Sequence, residues 1–245
     1  MHSSRRRFAL CSVALVIVGL VACSEVADPP SPAPSPPPSS ARPLAPADGP
    51  DRARELLAEV TVVERRPDVP GYDRSCSPGD GCVFGTEWSD ATDAPLSRNG
   101  CDTRNDVLAR DLTDVRFSRR SPDCDVTGGT LADPYTGREM DYATEGSQIH
   151  VDHLFPLAAA WDLGAAGWTP ERRERFANDV DLELLAVEGS ANLSKGDSTP
   201  ASWLPPRKAF RCTYVTAYLE VAHAYDLAIT EADVRVIEPV LTKSC

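Results

Sequence analysis

Ile149-His150-Val151-Asp152-His153-Leu154-Phe155-Pro156 sets a carboxylate directly beside an imidazole, inside a run from Gln148 to Leu154 that reads as a short extended strand. Neighbouring side chains of a regular strand point to opposite faces. Asp152 and His153 can therefore serve one site only if the strand bends or ends there, and Pro156 favours that ending. Alone, an Asp-His pair reads as a surface feature. The downstream residues give it weight: Ala-rich Pro156 to Ala166 reads as a helix, and Thr169-Pro170 supplies an N-cap and a first-turn proline for another through Phe176. Leu182 to Val187 then reads as a second strand, Glu188-Gly189-Ser190 as a polar loop, and Asn192-Leu193-Ser194-Lys195-Gly196-Asp197 comes next.

Upstream, Asp51 to Val63 has helical spacing, with Leu56, Leu57 and Val60 on one side, and is expected to pack on the domain as a lead-in helix. Residues 67 to 105 are loop-like, rich in Pro, Gly and Asp. Asp106 to Val115 reads as a short helix or strand, and Val126 to Asp141 as a hairpin closed by a turn at Asp133-Pro134-Tyr135-Thr136-Gly137. Two helices close the chain. The first spans about Phe210 to Tyr225 with Tyr214, Tyr218, Val221 and Tyr225 along one face, and the second is capped by Thr230 and reaches about Leu241. The class is α+β, with helices dominating the second half. His223 lies inside the first of these helices and is taken as structural or solvated.

The 245 residues leave room for one globular domain plus appendages. Arg5, Arg6 and Arg7 precede an apolar run from Phe8 to Ala22, which reads as a secretion signal of either the general or the twin-arginine type. Leu20-Val21-Ala22-Cys23 fits a lipobox, so residues 1–22 are expected to be removed and Cys23 to carry acyl chains on the outer face of a cell membrane, or to be extracellular if released. Residues 23–50 form the lipidated cysteine and a Pro/Ser-rich tether that spans on the order of 80 Å as polyproline. The domain occupies 51–245, with a core over about 100–210. Removing residues 1–22 takes away three arginines and no acid, so the formal charge moves from −12 to −15. Such a balance argues against a protein that coats nucleic acid non-specifically. Six cysteines remain in the exported domain and imply three disulfides among fifteen connectivities. Proximity favours Cys76–Cys82, Cys101–Cys124 and Cys212–Cys245. No CxxC pair is present, which excludes a zinc-thiolate site of that kind.

The succession Asp152-His153, second strand, Asn192-Leu-Ser-Lys-Gly-Asp resembles the HNH, or ββα-metal, nuclease motif. The likeness extends through Gly100-Cys101-Asp102-Thr103-Arg104-Asn105-Asp106-Val107-Leu108, Asp133-Pro134-Tyr135-Thr136-Gly137, Phe176-Ala177-Asn178-Asp179 and Trp203-Leu204-Pro205-Pro206. These segments, from roughly Gly71 to Cys245, resemble secreted HNH proteins related to the C-terminal domain of GmrSD-type restriction enzymes. The resemblance implies a disulfide-stapled ββα-metal core with a helical insertion and C-terminal helices. It implies a metal-dependent endonuclease acting on nucleic acid, DNA foremost. His153 would be the general base, while Asp152 and Asn192 would ligate Mg²⁺, with Mn²⁺ the other hard cation suited to such oxygen ligands. Lys195 would contact a phosphate or steady the loop.

There are departures. Glu183 stands where many HNH motifs carry a central Asn on the second strand, and the path from His153 to Asn192 is long. His150 is either an added metal or phosphate contact or a surface residue. Arg104 either approaches the site or pairs with Asp102 or Asp106. Three basic clusters, Arg104/Arg116/Arg119/Arg120, Arg172/Arg173/Arg175 and Arg207/Lys208/Arg211, are candidates for a phosphate-binding lip or solvated faces. Two other classes stand beside the nuclease: an inactive HNH scaffold acting as a binding or structural lipoprotein, and a metal-binding surface protein using His150, Asp152 and His153.

Overall fold

A computed structural model describes residues 49–74 and 82–245. The secretion signal, Cys23 and nearly all of the proline-rich tether lie outside the described residues, as does Cys76 of the expected Cys76–Cys82 pair. The lead-in helix is shorter than its periodicity suggests. Helix α1 (Gly49–Glu59) is followed by a two-residue strand, β1 (Val62–Val63), which pairs in parallel with β7 (Ile229–Thr230).

Helix α2 (Thr103–Asp111) starts where Asp102 accepts the Asn105 amide at 2.8 Å, an N-cap that satisfies one of the orphan donors of its first turn. It leads into an antiparallel sheet of β2 (Thr113–Ser118), β3 (Ser121–Ala132) and β4 (Glu139–Asp141), in that order. The expected hairpin over Val126 to Asp141 is the β3–β4 half of this sheet. β2 and the start of β3 carry no sequence signal because their mostly partly or fully exposed residues show no apolar alternation. After α3 (Tyr142–Glu145) comes β5 (Ile149–His153), antiparallel to β6 (Leu184–Glu188) in a register running from Ile149↔Glu188 to His153↔Leu184. The insertion between these strands holds α4 (Leu157–Asp162) and α5 (Pro170–Ala177), the latter capped by the Thr169 hydroxyl as its sequence indicates.

The polar loop expected at Glu188 to Ser190 is instead the start of α6 (Gly189–Lys195), which follows β6 with no connection. The Glu188 carboxylate accepts the Ala191 amide at 3.0 Å and serves as N-cap. Glycine and serine favour loops, and here the cap outweighs their low helix propensity. Helices α7 (Arg211–Tyr225) and α8 (Glu231–Lys243) complete the chain, the latter opened by a capping box between Thr230 and Asp233.

Two apolar clusters form the core. One gathers Leu56, Trp161, Phe176, Tyr214, Tyr218 and Ile237 among α1, α4, α5, α7 and α8. The other gathers Val107, Leu108, Leu131 and Met140 between α2 and the three-stranded sheet. The β5–β6 hairpin is the wall between them. Ile149, Val151, Leu184 and Ala186 face the second cluster, whereas Leu185 and Val187 face the first, as the two-residue strand period requires. Burying each larger aliphatic side chain stabilises by about 1.5–3 kcal/mol, so a hairpin buried on both faces is held in a fixed register. Cys101–Cys124 joins the loop before α2 to β3, and Cys212–Cys245 ties α7 to the C-terminus, both as expected. Among the described residues no helix is long and apolar enough to cross a membrane.

Candidate active site

The register of the hairpin puts Asp152 opposite Leu185, on the face turned toward the larger apolar cluster. A carboxylate there is costly unless it is paired and hydrogen-bonded. Both conditions are met. The Lys195 ammonium lies 2.8 Å from each Asp152 oxygen, with the lysine side chain fully buried, and Tyr135 donates its hydroxyl to Oδ2 at 2.5 Å. Burial and the adjacent Asp152 charge push the Tyr135 phenol well up, so it remains the donor. Lys195 places its third donor on the His153 carbonyl at 2.6 Å. These contacts can take up all three ammonium hydrogens.

β5 ends at His153, which satisfies the condition set by the sequence: Asp152 and His153 come from opposite faces of the strand yet border one cleft. The His153 Nε2 lies 3.0 Å from the Ala177 carbonyl. A carbonyl only accepts, so Nε2 carries the proton and Nδ1 keeps its lone pair. Burial, the largest cause, pushes the imidazole down to about 3; the Ala177 carbonyl opposes this, and the Arg74 and Lys195 charges reinforce it. The ring is thus neutral, with the Nδ1 lone pair unprotonated. Trp88 lies nearly parallel to it, with ring centroids 6.2 Å apart.

Helix α6 supplies the other wall. Asn192 and Lys195 sit three positions apart, one on the cleft and the other beneath it. Two glycines make this placement possible. A Cβ at Gly189 would stand 2.7 Å from the His150 Nε2 and 2.9 Å from the Gln148 carbonyl, so the helix can start against β5 only without a side chain. Gly196 adopts φ +54°, which stops the helix directly after Lys195. The resulting cleft, of about 280 Å³, is bordered by Tyr72, Arg74, Asp152, His153, Asn192 and Asp197.

The placement of Glu183 on the second strand needs correction, and the other candidates fall as follows. Glu183 precedes β6 rather than lying on it. It is fully buried, its Oε2 accepts the Phe155 amide at 3.2 Å, and its carbonyl accepts the Leu154 amide at 2.8 Å. Burial pushes its carboxyl well up, leaving a neutral acid that fastens the turn just after His153. Arg104 reaches neither the cleft nor an aspartate; it donates to the Ile149 carbonyl at 3.3 Å and so braces β5. His150 is absent from the cleft lining and packs beside Gly189. Among the described residues no three His, Cys, Asp or Glu side chains gather to hold a metal ion, so the His150, Asp152 and His153 set does not assemble.

None of the three basic clusters borders the cleft. Arg172 and Arg173 donate to the carbonyls of Tyr225 and Val83, Arg175 to that of Asp93, and Arg211 to that of Pro205. His223, taken as structural or solvated, lies at the surface with its Nε2 3.0 Å from a Glu59 carboxylate oxygen. Sequence reasoning misses Tyr135 as a partner of Asp152, because its segment carries only the signal of a turn. It also misses Arg74, Trp88 and Tyr72, which lie in loops without periodic signal.

The family model described as GmrSD restriction endonucleases, C-terminal domain, matches residues 102–237. An "Uncharacterized secreted protein" of Arthroderma benhamiae is 36% identical over 209 residues, covering 83% of this chain and 86% of that protein. No solved structure matches the chain. The Cys-Asp-Thr-Arg segment (from Asp102 on), the β5–β6 hairpin, α6 and α7 all fall within the matched span, and the chain belongs to the GmrSD restriction endonuclease C-terminal domain family, a nuclease-related family.

Proposed function

We propose that the protein is a metal-dependent HNH endonuclease that hydrolyses phosphodiester bonds of nucleic acid, DNA foremost, outside the membrane to which Cys23 anchors it. One observation carries this reading: Asp152 and His153 at the end of β5, and Asn192 on the helix directly after β6, border a single cleft. The unit β5, β6, α6 supplies the two strands and helix of a ββα core.

The donor set fits a hard divalent cation. The Asp152 Oδ2 already accepts from Tyr135 and Lys195, whereas Oδ1 accepts from Lys195 alone and keeps a lone pair. Asp152 can thus give one oxygen and the Asn192 amide a second. Mg²⁺ suits such a sparse site because it retains several waters and shares substrate phosphate oxygens; Mn²⁺ is the alternative. When bound, the cation supplies Lewis-acid polarisation of the phosphate and offsets charge on the departing oxygen. The His153 Nδ1 takes a proton from the attacking water as its oxygen bonds to phosphorus. The P–O3′ bond breaks, and the departing O3′ takes a proton from solvent. Ala177 holds the base in its tautomer, Lys195 and Tyr135 hold Asp152, and Glu183 holds the turn just after His153.

The reading of an inactive scaffold has one observation on its side, namely the engagement of both Asp152 oxygens by Lys195. Plasmid incubated with the disulfide-bonded protein and Mg²⁺ separates the two. Cutting that stops with a chelator and with His153→Ala is expected. Cutting that survives both would refute the mechanism, and no cutting with any divalent cation or nucleic acid would establish the scaffold.

A further inference from the structure

Among the described residues three large apolar side chains are exposed, Val62, Leu96 and Leu193. Leu193 is the most exposed of them, at 75%, and of the three it alone borders the cleft. A single surface leucine needs no explanation by itself. This one is presented by a helix fixed at both ends. Gly189 starts α6 against His150 and the Gln148 carbonyl, and Lys195 closes it from the core with its ammonium on Asp152. Ala191 and Lys195 take the buried side of the helix, Asn192 borders the cleft, and Leu193 is left standing in solvent beside the amide assigned to the cation. The charge balance matters as well. With a formal charge of −12 and the three basic clusters absent from the cleft lining, attraction to backbone phosphates does less here than in a basic protein, and an uncharged contact has more to contribute.

We propose that Leu193 is a wedge that enters the base stack of a duplex at the step beside the scissile phosphate. The assignment rests on the nuclease reading and adds to it the residue that meets the bases. Neighbouring Cα atoms lie about 3.8 Å apart and successive base pairs about 3.4 Å apart, so a phosphate held at Asn192 brings the adjoining step within reach of Leu193. A branched alkyl side chain has no group with which to read base edges. It fills the gap between two bases that part, and its burial there offsets part of the cost of unstacking them. Substrate choice follows. Pyrimidine–purine steps, TA and CA/TG, open at least cost, so cuts should concentrate at them.

The test uses the full chain, Leu193→Ala and Leu193→Met, with Mg²⁺ and a mixed-sequence duplex whose cut positions are mapped. The alanine variant should lose about 10–100-fold in kcat/KM, the scale of one leucine side chain kept in water, while methionine retains most of the rate. Its cuts should also lose their bias toward pyrimidine–purine steps. A duplex with a one-base bulge at the cut step is already open, so there the alanine loss should shrink to less than about threefold. Because Leu193 lies in solvent, both variants should melt with the wild type, and their losses then reflect contact rather than folding. A second readout needs no cutting. 2-Aminopurine, whose fluorescence rises on unstacking, is placed in the single TA step of a short duplex; it should brighten with His153→Ala and stay dark once Leu193→Ala is added. Equal rates for wild type and Leu193→Ala on the intact duplex, an equal loss on the bulged one, or no fluorescence rise would each overturn the wedge. No cutting by the wild type would overturn the nuclease reading, and the fluorescence then decides separately whether Leu193 enters the stack.

Discussion

Replacing Lys195 by Met removes the counter-charge of a buried carboxylate while nearly preserving side-chain volume. The geometry sets the scale. At 2.8 Å from both oxygens, an effective dielectric of about 20 gives roughly 6 kcal/mol of gross attraction. Desolvation of the two ions offsets much of it, so the pair itself contributes little net. Losing one partner is different, because Asp152 is then left with only Tyr135 and the surrounding apolar cluster. Such losses cost about 3–5 kcal/mol. For a domain of this size that corresponds to a fall in Tm of about 6–20 °C. Calorimetry on Lys195→Met, Asp152→Asn and the double variant closes the cycle. The double variant should be markedly more stable than the sum of the singles predicts, by about 2 kcal/mol or more, because neither orphaned charge remains. A fall below about 3 °C for Lys195→Met, or additive losses, would show that the two side chains are not the buried pair described and would refute the reasoning.

Two further outcomes concern carboxyls whose proton affinity is raised, one buried and one half-buried. Glu183 is a neutral acid accepting the Phe155 amide, so Glu183→Gln keeps the acceptor and should cost under about 1 kcal/mol, whereas Glu183→Ala orphans that amide and opens a cavity at about 2–4 kcal/mol. Denaturant unfolding distinguishes them, and equal losses would contradict a neutral Glu183. Asp106 is pushed from its ordinary 3.8 up to about 6 by burial above all, with the charges of Asp90 and Asp102 adding and the Asn99 amide opposing. The folded state therefore binds the proton more tightly, and stability drawn from it is present below pH 3.8 and lost as pH rises through 6. Asp106→Asn keeps the Asn99 contact and should raise Tm at pH 8 but not at pH 4; the same gain at both would rule out the titration.

Much of the fold is legible in the sequence because its signals are local. Thr169-Pro170 and Thr230 announce their helices through caps that close within three residues, and the expected cysteine neighbours Cys101 and Cys124 do pair. Glu188 reads as loop because its cap function depends on a helix of only seven residues, too short for a periodic signal. The place of Glu183 is hidden for a related reason. An acid beside an apolar run shows nothing of its own burial, and the alternation of Leu182 to Val187 cannot say where the strand begins.

The sequence by itself determined the succession Asp152-His153, second strand, Asn192, together with the disulfide neighbours and the family these segments resemble. The tertiary structure decided what each charged group does. Lys195 meets Asp152 across 43 positions, and Arg74 arrives beside His153 from a loop without pattern. The physical reason is one of range. Caps, turns and amphipathic stripes are settled by side chains a few residues apart, whereas the partner of a buried charge is chosen only when distant elements close around it and exclude water.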